Sequence, residues 1–205
     1  MSGRRRAGFT IGIVAVALLA AACSNDSSDG GSTGMTVPTW EEVVDDTVDV
    51  AREQGASDDQ LAVLESGDVT FQQYEAAVGR TVECLRAAGI DVIGDRVTES
   101  SGYPEINYSY AASSEGRTDD ETDAISQACI SAHSQFIEGL YRATPVVQEV
   151  IDERFEPFRE AVVACLRDNG EDVDDEAPRA VLELHTGAVL QRGGPHCVAD
   201  SGFNG

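Results

Sequence analysis

From Thr39 onward, apolar residues recur mainly at intervals of three and four, the period of an amphipathic helix. Thr39 followed by Trp40, Glu41 and Glu42 reads as an N-cap with acids in the first turn. Val43, Val44, Thr47, Val48 and Ala51 then form a stripe that Gly55 ends. Ser57-Asp58-Asp59-Gln60 opens a short second helix that buries Leu61 and Leu64 and stops at Gly67. Thr70 and Gln73 make a capping-box pattern for a third helix, with Phe71, Tyr74, Val78, Val82 and Leu85 on its inner face and Gly89 closing it. Between Ile90 and Ala111 the period changes. Ile106 to Tyr110 alternates with period two and Ser100-Ser101-Gly102 is a turn signal, so this segment predicts a β-hairpin. After a polar loop, Asp120 or Thr122 opens a long helix whose face runs Ile125, Cys129, Ala132, Phe136 and Leu140. Pro145 suits the first turn of the next helix. Val147, Ile151, Phe155, Phe158, Val162 and Leu166 line it, Pro157 should kink or split it, and Gly170 ends it. Residues 177–191 fit either a helix capped at Asp175 or a second hairpin turning at Thr186-Gly187.

The first 38 residues follow none of these periods. Arg4, Arg5 and Arg6 precede an uncharged apolar run, Ile11 to Leu19, then Ala20, Ala21, Ala22 and Cys23. That order is a secretory signal, and the run is short for a permanent membrane span. Arg5-Arg6-Ala7-Gly8-Phe9 fits a twin-arginine signal poorly, so a Sec-type route fits better. The small residues before Cys23 resemble a lipobox, with Ala20 where Leu is usual and Leu19 one place further out. The resemblance implies cleavage after Ala22, so that residues 1–22 are a lipoprotein signal peptide and Cys23 carries the lipid. Residues 23–38 are then the anchor and a polar Ser/Gly/Asp linker, a flexible coil spanning on the order of 20 Å. Cleavage removes three Arg and no acidic residue, taking the formal charge from -23 to -26. An anionic leaflet repels such a chain, so the membrane is held through acyl chains, at ~0.8 kcal/mol per buried CH₂.

The body contains an internal repeat. Val82-Glu83-Cys84-Leu85-Arg86-Ala87-Ala88-Gly89-Ile90-Asp91-Val92 matches Val163-Ala164-Cys165-Leu166-Arg167-Asp168-Asn169-Gly170-Glu171-Asp172-Val173 at a constant offset. Tyr74-Glu75 and Phe155-Glu156 extend it upstream, and each copy is followed by one more cysteine, Cys129 and Cys197, with a Phe several residues later. Each unit reads as a helix, a Gly stop, an insert and a returning segment. Cys84 lies one turn before its helix ends and Cys129 on the apolar face of the returning helix, so a bond between them would clamp the insert. The repeat favours Cys84–Cys129 with Cys165–Cys197. The alternative joins the repeat helices, Cys84–Cys165 with Cys129–Cys197. Each bond contributes roughly 3–4 kcal/mol in the chain-entropy model. The expected fold class is therefore α+β and predominantly helical: a tandem disulfide-stapled helix–insert–return repeat with a small β-hairpin. Residues 39–144 hold the N-terminal helices and first repeat, and 145–205 the second, within one body.

Composition narrows the function. The 205 residues include 37 Asp+Glu and 14 Arg without a Lys, which argues against nucleic acid, since that partner needs a basic footprint. A hydrophobic fraction of 41% supports a modest core. No zincin, nucleophile-elbow, phosphate-loop or dinucleotide motif is present, so no catalytic residue and no cofactor is assigned. No C-x-x-C occurs, and His133 and His196 near Cys129 and Cys197 make a poor zinc set. Asp119 to Asp123 reads as helix-start charge and Asp172 to Glu176 as a solvated loop; neither has the calcium-loop ladder. Tyr103, Tyr108 and Tyr110 gather on the hairpin, where they either form a binding patch for a sugar or peptide or pack a half-buried strand on the helices. The duplicated V-x-C-L-R-x-x-G-x-D-V segment behind a lipobox and polar tether resembles lipoproteins of actinobacteria with no assigned function. The resemblance implies the outer face of the cell membrane as location and carries over no catalytic residue. The expected function is a non-enzymatic binding or accessory module for an extracytoplasmic protein partner in transport or envelope machinery. The alternatives are an envelope-directed hydrolase and, less well fitted by length, a solute-binding protein.

Overall fold

The computed structural model describes residues 36–111 and 116–204. The expected signal segment, Cys23 and the expected linker as far as residue 35 lie outside the described residues. The two repeats belong to one unit running from Met35 onward.

Three helices open the body: α1 (Trp40–Glu53), α2 (Asp58–Leu64) and α3 (Phe71–Ala87). Capping boxes start α1 and α3. The amides of Glu42 and Gln73 donate to the hydroxyls of Thr39 and Thr70, and the Glu42 and Gln73 side chains accept from the cap amides in return. After α3, four two-residue strands make a nested antiparallel hairpin: β1 (Val92–Ile93) with β4 (Ser109–Tyr110), and β2 (Val97–Thr98) with β3 (Glu105–Ile106). The register slips by one residue between the two pairs, from Ile93 opposite Ser109 to Val97 opposite Ile106. The extra residue forms a bulge, and Gly94 takes a φ of +80° where a β-carbon would sit 3.2 Å from the Asn107 carbonyl oxygen. That position needs glycine twice over.

The returning segment differs from the expected single helix. It starts earlier, at Thr118, whose hydroxyl accepts from the Glu121 amide while the Glu121 carboxylate accepts from the Thr118 amide. Asp119, Asp120 and Glu121 then fill the first turn, where the helix dipole favours acids. It also breaks at Ser134 into α4 (Asp119–His133) and α5 (Gln135–Ala143). The fully buried Gln60 of α2 explains why the break is tolerated. Its amide nitrogen donates to the carbonyls of Ser131 and Ala132 (2.9 and 3.2 Å), and its oxygen accepts from the amides of Phe136 and Ile137 (3.0 and 3.4 Å). Backbone groups that the break frees are thus paired rather than left buried and orphaned. The buried face of α4 is Thr122, Ser126 and Cys129, and Ile125 is only half-buried. Both hydroxyls donate one turn back, Thr122 to Thr118 and Ser126 to Thr122, which lets small polar side chains face α3 without an unmet bond.

The second repeat runs α6 (Pro145–Phe155), a 3-10 turn (Glu156–Phe158), α7 (Arg159–Asp168), α8 (Arg179–Gln191) and α9 (Cys197–Asp200). Pro157 splits the helix because it brings no amide hydrogen and its ring crowds the carbonyl four residues back. Residues 177–191 resolve as helix, but it starts after Pro178 rather than under an Asp175 cap. The hairpin alternative fails because Thr186 is buried within α8 and donates to the Leu182 carbonyl.

The repeat extends to individual hydrogen bonds. Gly89 and Gly170 both take the left-handed conformation, with φ of +77° and +84°. Ile90 donates to the Leu85 carbonyl and Glu171 to that of Leu166, and in each copy the glycine donates to the arginine three residues back. This is the Schellman stop twice. Tyr74 and Phe155, and likewise Leu85 and Leu166, are fully buried equivalents. Disulfides join Cys84 to Cys129 and Cys165 to Cys197, closing separations of 45 and 32 residues at Cα–Cα distances of 5.8 and 5.6 Å. This is the pairing that the repeat favours. Cys197 belongs to the main core, whereas Cys129 packs in a satellite cluster with Leu85 and Ile90.

Candidate functional site

The three hairpin tyrosines do not make an exposed patch. Tyr103 is buried edge-on to Tyr141, and Tyr108 and Tyr110 are half-buried against the core. Tyr103 belongs to a ring system with Phe71, Tyr74 and Tyr141 that seats the hairpin. Tyr74 and Tyr141 stack at 4.6 Å. The Tyr74 hydroxyl donates to the Ile106 carbonyl and accepts from the Ile106 amide, and the Tyr141 hydroxyl donates to the Pro104 carbonyl. Each tyrosine thereby pairs hairpin backbone that its short strands leave unpaired. Burial pushes the Tyr74 hydroxyl up to about 12 and raises Tyr103, Tyr108 and Tyr141 as well, so these groups stay protonated donors. The hairpin tip rests on α6, where the Arg154 guanidinium donates to the Ser101 carbonyl.

Seating the hairpin this way leaves a groove of about 210 Å³ along α3. Glu75, Val78, Gly79, Val82, Glu83 and Arg86 form one stripe of the helix, and Asp95, Val97 and Ile106 face them from the hairpin. The floor is apolar: Val78, Val82 and Ile106 are buried, while Val97 is 44% exposed. Arg86 and Asp95 close one end with an ion pair at 2.9 Å. Glu75 and Glu83 stand exposed on the rim, outside every ion pair found among the described residues. A larger depression of about 560 Å³ lies over Ser66, Asp68, Thr70, Gln72, Gln73 and Ala76. It is shallow and open to solvent, so it encloses little of any ligand. In the sequence the groove leaves one trace, a glycine inside the α3 pattern flanked four residues away on each side by glutamate.

Three polar or charged clusters lie elsewhere. Glu138 of α5 accepts from the Ser134 hydroxyl at 2.5 Å, and Ser134 accepts from Thr81 at 2.8 Å. Burial raises the Glu138 carboxyl above its ordinary range, opposed by the Ser134 hydrogen bond and the Arg142 charge. In the second repeat, Glu171 pairs with His185 Nδ1 through one oxygen and Arg192 through the other. These partners hold the Glu171 carboxyl below its ordinary range, His185 most strongly. Nearby, the buried Arg179 ties Asp152 of α6 (2.6 Å) to Glu183 of its own helix (2.5 Å). Both second-repeat clusters clamp α8 to its neighbours. Among the described residues, no group of three or more His, Cys, Asp and Glu side chains is arranged to hold a metal ion, and no helix is long and apolar enough to cross a membrane.

Comparison with protein-family models, with curated proteins and with solved structures finds no match for this chain.

Proposed function

We propose that the protein is a lipoprotein anchored through Cys23 to the outer face of the cell membrane, where its stapled body acts as a non-enzymatic binding module for a protein of the transport or envelope machinery. The cysteine accounting carries this reading. Four of the five cysteines are consumed in two disulfides, bonds that persist in oxidising, extracytoplasmic compartments. The fifth, Cys23, follows a basic segment, an apolar run and three alanines. The groove along α3 supports a binding role, since an apolar floor with a charged rim is built to bury one part of a ligand and orient the rest.

Metabolic labelling with an alkynyl palmitate tests the anchor. Wild type takes the label and sediments with membranes; Cys23→Ala loses both properties. Label retained in Cys23→Ala overturns the anchor assignment. Crosslinking on intact cells tests the module: a defined protein partner is captured with wild type, and recovery of the uncrosslinked chain alone contradicts it.

A further inference from the structure

The groove along α3 specifies more than a generic contact. Gly79 sits mid-helix, where glycine is less favourable than alanine. Nothing in the packing requires it, because a β-carbon there would meet no atom within 4 Å. Gly139 and Gly187 are equally unhindered in their helices, but of the three only Gly79 lines the groove. A side chain at Gly79 would fill the space above Val78, Val82 and Ile106. Its absence leaves room for one apolar side chain from elsewhere.

The rim says what flanks that side chain. Glu75 and Glu83 stand eight residues apart on α3, about 12 Å at 1.5 Å rise per residue. In an extended chain, side chains two residues before and two after a given position share its face, and they lie about 13 Å apart. A segment reading basic–x–apolar–x–basic therefore presents its apolar side chain to Gly79 and its two cations to Glu75 and Glu83. Charge also selects among occupants. The chain's own linker, Ser24 to Pro38, carries Asp26 and Asp29 and no basic residue. A second copy brings the same acidic surface, and an anionic lipid surface brings more negative charge.

We propose that the α3 groove binds an extended, basic–x–apolar–x–basic segment of a protein partner, with the apolar side chain seated over Gly79 between Val82 and Val97. This names the partner chemistry of the binding module above and rests on that reading.

The test uses the lipidated full chain in detergent to select from a displayed random-peptide library, with Gly79→Leu and Glu75→Arg/Glu83→Arg as the variants. Wild type enriches peptides with the basic–x–apolar–x–basic spacing. A synthetic copy of the best peptide binds Gly79→Leu at least about tenfold more weakly, although that variant melts no lower than wild type. The double charge reversal weakens binding about fivefold and removes most of its salt dependence. Peptides lacking paired basic residues, undiminished binding to Gly79→Leu, or no enrichment at all would overturn the proposal. If cell crosslinking still captures a partner equally well with Gly79→Leu, the groove assignment fails and the binding module stands. If it captures none with wild type either, both fail.

Discussion

In the first repeat the chain leaves the Gly89 stop as a bulged hairpin and returns along α4 to Cys129. In the second it leaves the Gly170 stop through a short loop and returns as α8 and α9 to Cys197. What the two share is local: a helix end, a Schellman stop and a cysteine one turn before it. What differs is the insert and how it is held. The hairpin is seated by tyrosine hydroxyls bonded to its backbone, and the helical insert by side-chain pairs from Arg179, His185 and Arg192 to carboxylates. A stop and staple of this kind leave the insert free to vary. The α3 groove lies beside the first insert, where a narrow ribbon of two-residue strands lies over α3.

The largest effect separating the repeats comes from the staples. Removing either one, as Cys84→Ala/Cys129→Ala or Cys165→Ala/Cys197→Ala, costs about 3–4 kcal/mol in urea unfolding. Loop length alone, 45 against 32 residues, makes the first loss larger by only about 0.3 kcal/mol. Cys197 is fully buried in the main core, so the second loss is the greater. A larger loss in the first repeat would mean that loop entropy outweighs packing.

Next is Gln60→Leu, which strips partners from two carbonyls and two amides at the Ser134 break and costs about 2–4 kcal/mol. Hydrogen exchange sharpens the comparison. The Phe136 and Ile137 amides lose protection, while Val189 in the second repeat keeps it. Equal loss in both repeats would show that Gln60 supports the whole body rather than one break.

The smallest effect is the most specific, because the two repeats respond to pH with opposite signs. Glu138 has a raised folded-state pKa, so its favourable contribution is complete below the ordinary carboxylate range and is lost as pH rises through the raised value. Glu171 has a lowered one, so its contribution is complete above the ordinary range and is lost as pH falls through the lowered value. Melting temperatures between about pH 3 and 7 should show Glu138→Gln gaining on wild type as pH rises, and Glu171→Gln falling furthest behind near neutrality. Parallel profiles for the two variants would contradict the assigned environments.

Helix starts and stops were legible wherever the signal is local. Thr39 with Glu42, Thr70 with Gln73, and the glycines at 89 and 170 need only their neighbours in sequence. The staple was legible because the repeat doubles it. The break at Ser134 was not, since the side chain that satisfies it, Gln60, lies more than 70 residues away: 71 from Ser131 and 72 from Ala132. Thr118 was overlooked because the acids behind it can themselves cap a helix. Thr186-Gly187 imitates a turn, yet Thr186 satisfies its hydroxyl within α8. Residue type suits the hairpin tyrosines to either surface or core, and it is the burial of Tyr103 and the half-burial of Tyr108 and Tyr110 that bear out the packed strand. The groove depends on how the hairpin seats on α3, and Gly79 alone hints at it.

The central claim joins export, anchoring and the doubled staple, and one measurement reaches all three: mass spectrometry of a non-reduced digest of the protein extracted from membranes. The account predicts an N-terminal peptide that begins at a lipid-modified Cys23, together with linked peptides for Cys84–Cys129 and Cys165–Cys197. A peptide from residues 1–22 in the mature protein, free thiols at the four body cysteines, or a Cys84–Cys165 link would contradict it.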